Sequence, residues 1–298
     1  MFVLRVNSMQ DLKELSKKLL EQKQVSAILG YEHGRRGPRP VFVTEVADCE
    51  RLVFDHRCVH NLAAYLSPRR TLVAQLGRLA VVVKACDARA VAGLIRESQL
   101  KREDVVLIGV RCGGVVRDPN GAEQLSADNV APRCLECDKR EPALADHLVG
   151  EPKPPPPGSA SRDARLSEIE ALSPGERLTL WTSLLSRCTR CHACRQVCPM
   201  CFCERCIADK TQPTWIETSP HARGNLAWHL TRALHLAGRC VNCGECERAC
   251  PAHIPLGLLN RKVARVVAER YGYRVTDDPS TPTPIGAYRL DDEQEFIQ

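Results

Sequence analysis

The sequence predicts a chain in two unlike parts, an α/β N-terminal domain built around a parallel βαβ element and a mainly α-helical C-terminal domain. Three observations carry the prediction. Two nearly continuous apolar runs, LAVVVKA (Leu79 to Ala85) and DVVLIGV (Asp104 to Val110), bracket a helix-like DARAVAGLIRESQ; apolar runs of strand length joined in this way read as parallel strands covered on both faces. The stretch GEPKPPPPGSASRDAR, Gly150 to Arg165, holds four successive prolines that favour extended polyproline II, followed by loose Gly, Ser and Ala residues, so no packed core is expected to run through it. Beyond it, apolar residues recur at helical spacing and lead into two cysteine runs of one pattern. The expected division is 1–150 for the α/β domain, 151–165 for the linker, 166–275 for the helical domain and 276–298 for an extended tail rich in Pro, Thr and acids. A length of 298 residues suits about two domains.

In chain order, FVLRV near Phe2 reads as a strand. NSMQDLKELSKKLLEQ reads as a helix with Leu12, Leu15, Leu19 and Leu20 on one face and Ser8 and Asp11 fitting a capping box. Strands are expected at Val25 to Leu29, Val41 to Val46 and Arg51 to Phe54, then the βαβ unit. Its two strands must be parallel, so residues just past their ends emerge on one edge, where open α/β sheets form ligand sites. Cys86 and Cys112 both fall there. In the second half, Ser173, Pro174 and Glu176 give an N-cap, a first-turn proline and a capping-box glutamate for a helix that delivers Cys188. HARGNLAWHLTRALHLAGRC places Leu226, Leu230, Ala233, Leu234 and Ala237 at helical spacing, with Gly238 as the stop before Cys240. A last helix carries Leu258, Leu259, Val263, Val266 and Val267 on one face.

The cysteine runs are CTRCHACRQVCP (Cys188 to Pro199) and CVNCGECERACP (Cys240 to Pro251), each C-x2-C-x2-C-x3-C-P. In this spacing three close thiolates cap one 4Fe-4S cluster, and the fourth, after a longer step and a proline, reaches a second. Cys188, Cys191, Cys194 and Cys250 are therefore expected to hold one cluster, and Cys240, Cys243, Cys246 and Cys198 the other, making the helical part a dicluster ferredoxin domain. Zinc ribbons pair separated C-x2-C units or add histidines, and fit the runs poorly. RCLECDKREP adds Cys134 and Cys137, so that Cys86, Cys112, Cys134 and Cys137 could converge on a third 4Fe-4S cluster. Zinc at the same thiolates, or buried cysteines acting as small hydrophobes, are the alternatives. Cys58 is a candidate replacement for one of the four, and Cys49 reads as structural. Cys201, Cys203 and Cys206 are extra to the eight: thiols packed beside the clusters, alternative ligands, or part of a further site. His221, His229 and His235 are expected to pack or lie on the surface, since eight thiolates already suffice. Arg187, Arg190, Arg195, Arg239 and Arg248 should favour reduced clusters and attract acidic partners.

Other classes fit less well. The apolar stretches fall far short of the roughly 20 residues a membrane span requires. The opening MFVLRVNSMQDL lacks a basic segment followed by a long apolar one, so the 17 cysteines are expected to be intracellular thiolates, and the location cytoplasmic. A net charge of +6, Lys+Arg 42 against Asp+Glu 36, is spread along the chain, leaving nucleic acid a distant alternative partner. Gly113 and Gly114 follow a strand, but neither G-x-G-x-x-G nor G-x4-G-K-[ST] is present, so no motif supports a flavin or dinucleotide site.

VVVKACDARAVAGLI, VLIGVRCGGVV and RCLECDKREP resemble the β-subunit family of deazaflavin-reducing hydrogenases and formate dehydrogenases, and more closely dicluster ferredoxin proteins of heterodisulfide reductase-like complexes. CHACRQVCPMCFCERC with HLAGRCVNCGECERACPAHIPL is similar to the helical ferredoxin domains of heterodisulfide reductase and succinate dehydrogenase iron-sulfur subunits. The resemblance spans about Cys58 to Val267. It implies a cytoplasmic anaerobic complex in which electrons pass among hydrogenase, formate dehydrogenase, flavin and ferredoxin partners. It also implies that Cys86, Cys112, Cys134 and Cys137 act as a unit, and that a flavin binds in the N-terminal domain. The expected role is a non-catalytic electron-transfer subunit; a flavin-containing subunit reducing substrate at the Cys86/Cys112 edge is the alternative.

Overall fold

A five-stranded mixed sheet is assembled from β1 (Ala27–Glu32), β2 (Arg39–Val43), β3 (Leu79–Val83), β4 (Val105–Val110) and β5 (His147–Val149), in the spatial order β2-β1-β3-β4-β5. The computed structural model describes residues 9–160, 163–217, 219–284, 286 and 290. The strand expected near Phe2, and the Ser8 half of the capping box, lie outside the described residues. Only β2 is antiparallel to its neighbour; β1, β3, β4 and β5 pair in parallel. The helices are α1 (Met9–Glu21), α2 (Thr71–Ala74), α3 (Ala85–Arg96), α4 (Pro132–Leu135), α5 (Ala164–Glu170), α6 (Pro174–Ser186), α7 (Ala193–Gln196), α8 (Ala222–His235), α9 (Glu245–Arg248) and α10 (Leu256–Tyr271).

The βαβ unit is β3-α3-β4, with Leu79 opposite Val105 and Val83 opposite Gly109. Every residue of β1, β3 and β4 is buried, which is why these runs are apolar without alternation. Each fully buried Val, Ile or Leu there contributes on the order of 1.5–3 kcal/mol. Two strand boundaries move: β1 starts at Ala27 rather than Val25, and β2 occupies Arg39–Val43 rather than Val41 to Val46. Arg51 to Phe54 is not a strand. A 3-10 turn fills Val46–Arg51, and only a single bridge, Glu32 to Leu52, follows it. Glu32 already pairs with Arg39 of β2, so Leu52 meets β1 on the opposite edge, which β3 holds from Ala27 to Leu29, leaving only the end of β1 open to it.

The Ser173–Glu176 capping box at the start of α6 is formed in both directions: the Glu176 amide donates to Ser173 Oγ at 3.3 Å, and the Ser173 amide donates to the Glu176 carboxylate at 2.8 Å. From Ala164 onward the regular elements among the described residues are helices. These helices share a core with the sheet, because Met200, Leu236 and Val241 pack in the same apolar cluster as β1, β3 and β4. The contact runs over α3. A Cβ added at Gly93 would meet Met200 Cε at 2.9 Å, so this glycine is what lets the end of the first cysteine run approach the helix. Arg239 anchors the same junction through Glu97 at 2.6 Å. The Pro-rich stretch is extended and lies along the glycine pair after β4, with Pro156 Cβ 3.1 Å from where a Gly114 Cβ would stand.

Helix α8 corrects the sequence reading in one respect. Its buried face is Gly224, Asn225, Trp228, His229, Arg232 and Ala233, whereas Leu230 and Leu234 are 43% and 64% exposed. Leu230 and Leu234 mark the outer face, Leu226 is half-buried, and Ala233 joins a polar and aromatic stripe that turns inward.

Candidate metal centres

The two cysteine runs adopt the same backbone. The residue before the second cysteine, Arg190 or Asn242, and the residue after it, His192 or Gly244, all have φ between +57° and +66°. A short helix follows in each, α7 and α9, and the two pack against each other. Left-handed backbone costs an L-residue about 1–2 kcal/mol, so its recurrence at matching positions reflects one constraint acting on both runs. The constraint is visible at the sulfurs. The Arg190 amide donates to Cys188 Sγ at 3.4 Å, the Asn242 amide bonds Cys240 and the Glu245 amide bonds Cys243. Amides aimed at sulfur stabilise the thiolate.

Cys188, Cys191, Cys194 and Cys250 are brought together: Cys188 lies within electrostatic reach of Cys250 and Cys191, and Cys194 of Cys188 and Cys250. Cys250 also receives the Ile254 amide at 3.5 Å. Cys240, Cys243 and Cys246 form the second group, with Asn260 Nδ2 donating to Cys246 Sγ at 3.9 Å. Cys198 packs in the same cluster as Cys240 and Cys243 and shares a hydrogen bond with Cys201, whose charge in turn reaches Cys240. Cys201 therefore lies within electrostatic reach of both groups, through Cys194 and Cys240, whereas Cys206 packs in the same apolar cluster as Cys188, Cys194 and Cys250, and Cys203 is exposed.

At the sheet edge, Cys86, Cys112, Cys134 and Cys137 line one small cavity with Lys84, Arg133 and Arg140. Topology places them: Cys86 opens α3 straight after β3, Cys112 follows β4, and α4 carries Cys134. The Gly114 amide donates to Cys112 Sγ and the Val115 amide to Cys134 Sγ, each at 3.4 Å. The second group approaches this one closely enough for Cys243 and Cys86 to interact electrostatically. Cys58 does not line the cavity; it is fully buried in the sheet core, and burial pushes its thiol up to about 12. Cys49 is likewise buried and bonds Glu45 O.

The charges around the cysteines differ from expectation. Arg195, Arg239 and Arg248 are tied to Asp209, Glu97 and Glu245, and Arg190 stacks over the Trp228 ring and donates to Glu217 O at 2.5 Å. Three buried cations that spacing did not single out also lie within electrostatic reach of the thiols. Lys84, 3% exposed, bonds Tyr31 Oη at 2.6 Å and His60 O at 2.7 Å, and pairs with Asp87 at 3.0 Å. Arg133 bonds Val59 O at 2.7 Å, pairs with Glu245 at 3.6 Å and lies within electrostatic reach of Cys134, Cys86 and Cys243. Gly244 makes room for it, since a Cβ there would meet Arg133 Cδ at 2.6 Å. Arg232 lies within electrostatic reach of thiols of both the first and the second group. A cation adjoining the cysteine motif, as in Arg133-Cys134, was a readable signal; Arg232, 38 residues from its bonded partner Cys194, was not. Of the histidines, His221 caps α8 by accepting from the Gly224 amide, and His229 packs edge-on against Trp228 at 4.8 Å.

These residues fit iron-sulfur clusters. Burial pushes the thiols of Cys112 and Cys194 up to about 11, so each needs bound metal to stay deprotonated near neutrality. The guanidinium of Arg232, 5% exposed, leaves Nε without a hydrogen-bond partner, a buried positive charge suited to an anionic neighbour. No three His, Cys, Asp or Glu side chains among the described residues are drawn tightly enough around one point for a single ion. A four-iron cluster spreads its thiolates around a cube and is held by a wider set.

No family model matches the chain. It is 24% identical to the F420-dependent formate dehydrogenase subunit beta of Methanocaldococcus jannaschii, over 90% of this chain and 92% of the relative. The chain is related to formate dehydrogenase β subunits. The F420-dependent formate dehydrogenase 1 subunit beta of Methanococcus maripaludis is 23% identical over 91% and 92% of the two chains. Both similarities run through the sheet and the cysteine runs alike, since each covers nearly the whole length. No helix among the described residues is long and apolar enough to cross a membrane.

Proposed function

We propose that the chain is the electron-transfer subunit of a cytoplasmic multisubunit oxidoreductase of the formate dehydrogenase type, relaying electrons through two 4Fe-4S clusters and a third. Cys188, Cys191 and Cys194 with Cys250 hold the first cluster, Cys240, Cys243 and Cys246 with Cys198 the second, and Cys86, Cys112, Cys134 and Cys137 the third. The single observation that carries the reading is that the cysteine runs share one backbone and cross, Cys250 turning back to Cys188 and Cys194. Such clusters supply one-electron storage at potentials that span roughly −700 to +450 mV with charge, hydrogen bonding and exposure. The chain's own residues supply the rest: amides that bond the sulfurs, buried cations beside them, and a sheet edge that brings the third group against the second. Cys191 is exposed and marks the end of the line open to a redox partner. Hydrogenase and heterodisulfide reductase-like assemblies use the same relay, and the subunits that copurify with the chain identify its complex.

Iron and acid-labile sulfide per chain, with zinc in the same assay, test the proposal on anaerobically purified protein. About twelve irons are expected; about eight would leave the sheet-edge cysteines outside the path, and zinc in place of iron would sink the relay. One observation favours a second reading. A cavity of about 430 Å³ opens beside Cys112 at the carboxyl edge of β4, lined by Phe54, His56, Arg111 and Gly113, where open α/β sheets take ligands. A flavin or substrate reduced there would make the chain catalytic. Yellow absorbance that survives removal of iron and sulfide would support that role.

A further inference from the structure

We infer that Arg232 is a positioning residue shared by the first two clusters, a single buried cation that sets their potentials together. The inference rests on the cluster assignment proposed above. Arg232 projects from the inward face of α8 and is 5% exposed. Its Nη2 donates to Cys194 O at 2.9 Å, and Nε has no partner. Arg261, Arg248, Arg195 and Arg239 are matched by carboxylates: Arg261 by Glu136 and Asp163, Arg248 by Glu245, Arg195 by Asp209, Arg239 by Glu97. Arg232 is different. Among the described residues no carboxylate is paired with it, and Cys198, Cys201, Cys194 and Cys246 lie within its electrostatic reach.

Three of these thiols come from the two runs, Cys194 in the first group and Cys198 and Cys246 in the second, and Cys201 lies just past the first run. Leaving a cation buried without a counter-charge costs several kcal/mol, so a helix that turns one inward between two sulfur groups is built for anions on both sides. A cluster gains a negative charge on reduction. A cation held at fixed distance from two clusters in a low-dielectric interior lowers the free energy of either reduced state and offsets the repulsion between them. Removing the charge should therefore move both couples in the same direction, which a residue that merely packs would not do.

The test is a potentiometric titration followed by electron paramagnetic resonance on full-length, iron-loaded wild type, Arg232→Met and Arg232→Lys. Arg232→Met is expected to shift each of the two reduction equilibria about tenfold toward the oxidised state, equivalent to 59 mV for one electron. Arg232→Lys, which keeps the charge, is expected to recover most of both shifts. Unchanged midpoints in Arg232→Met with full iron content would overturn the inference while leaving the clusters standing, as would a shift confined to one cluster. If Arg232→Met fails to load, the lysine variant decides: loading restored by lysine supports the charge role, and loading lost in both assigns Arg232 to packing. A wild-type chain without clusters would overturn the cluster assignment, and this inference with it.

Discussion

Cys198→Ser together with Cys201→Ser is expected to remove the cluster held by the other run, leaving the cluster of its own run in place. The reason is the crossing of the fourth cysteines. Cys198 follows the three thiols of the first run in sequence, yet it lies against the same apolar core as Cys240 and Cys243 and is linked toward Cys240 through Cys201, while Cys250 reaches back to Cys188 and Cys194. Cys201 must be removed as well, because it is hydrogen-bonded to Cys198 and its charge reaches Cys240, so its thiol is placed to substitute. The double variant should lose about four irons per chain, and the paramagnetic signal that disappears should be one that Cys240→Ser also abolishes. Cys250→Ser should do the converse, matching Cys191→Ser. If the double variant loses the signal that depends on Cys191, each run holds its own cluster and the reciprocal arrangement is wrong.

The second large effect concerns Glu136, which lies between Cys134 and Cys137 and is 4% exposed. Its carboxylate accepts from the Arg261 guanidinium of α10 and from the Arg165 amide at 3.0 Å. It thereby clamps the loop bearing two proposed ligands to the last helix. Truncating one member of a buried ion pair costs about 3–5 kcal/mol, because the other charge is left desolvated. Arg261 keeps Asp163 at 2.6 Å, so the lower end, about 3 kcal/mol, is expected for Glu136→Ala. For a chain of 298 residues that corresponds to a fall in Tm of roughly 5 °C. Thermal unfolding followed by circular dichroism checks it, and a change within about a degree would mean that the clamp is not formed. Combining Glu136→Ala with Arg261→Met should recover much of the loss, since both charges are then gone.

Much of the sheet was legible because its signals are local. LAVVVKA and DVVLIGV declare buried parallel strands by composition alone, and β3-α3-β4 forms where they lie. Ser173 and Glu176 specify the start of α6 within four residues. Arg51 to Phe54 misled because its residues favour a strand but β3 holds the edge beside it from Ala27 to Leu29 and only the end of β1 is open, a fact set by pairing across the chain. Helix α8 misled for a related reason. Leu226, Leu230 and Leu234 are an apolar stripe, but what turns inward is the face whose polar groups find partners: Asn225 donating to Cys188 O, Trp228 to Asp209, Arg232 to Cys194 O. A helix buries the face that its surroundings can satisfy, and buried polar groups must be bonded.

By itself the sequence determined the chemistry on offer: soft thiolates in a repeated spacing, carried by helical segments behind a βαβ sheet whose edge presents Cys86 and Cys112. Spacing along the chain is enough for this, because turns, caps and ligand triplets are closed within a few residues. The tertiary structure alone decided which charges accompany those thiols. Whether Arg232, Arg133 or Glu136 is a solvated surface charge or a buried one depends on whether a counter-charge or a sulfur arrives from elsewhere in the chain, and the free energy of a buried charge is fixed by that neighbour.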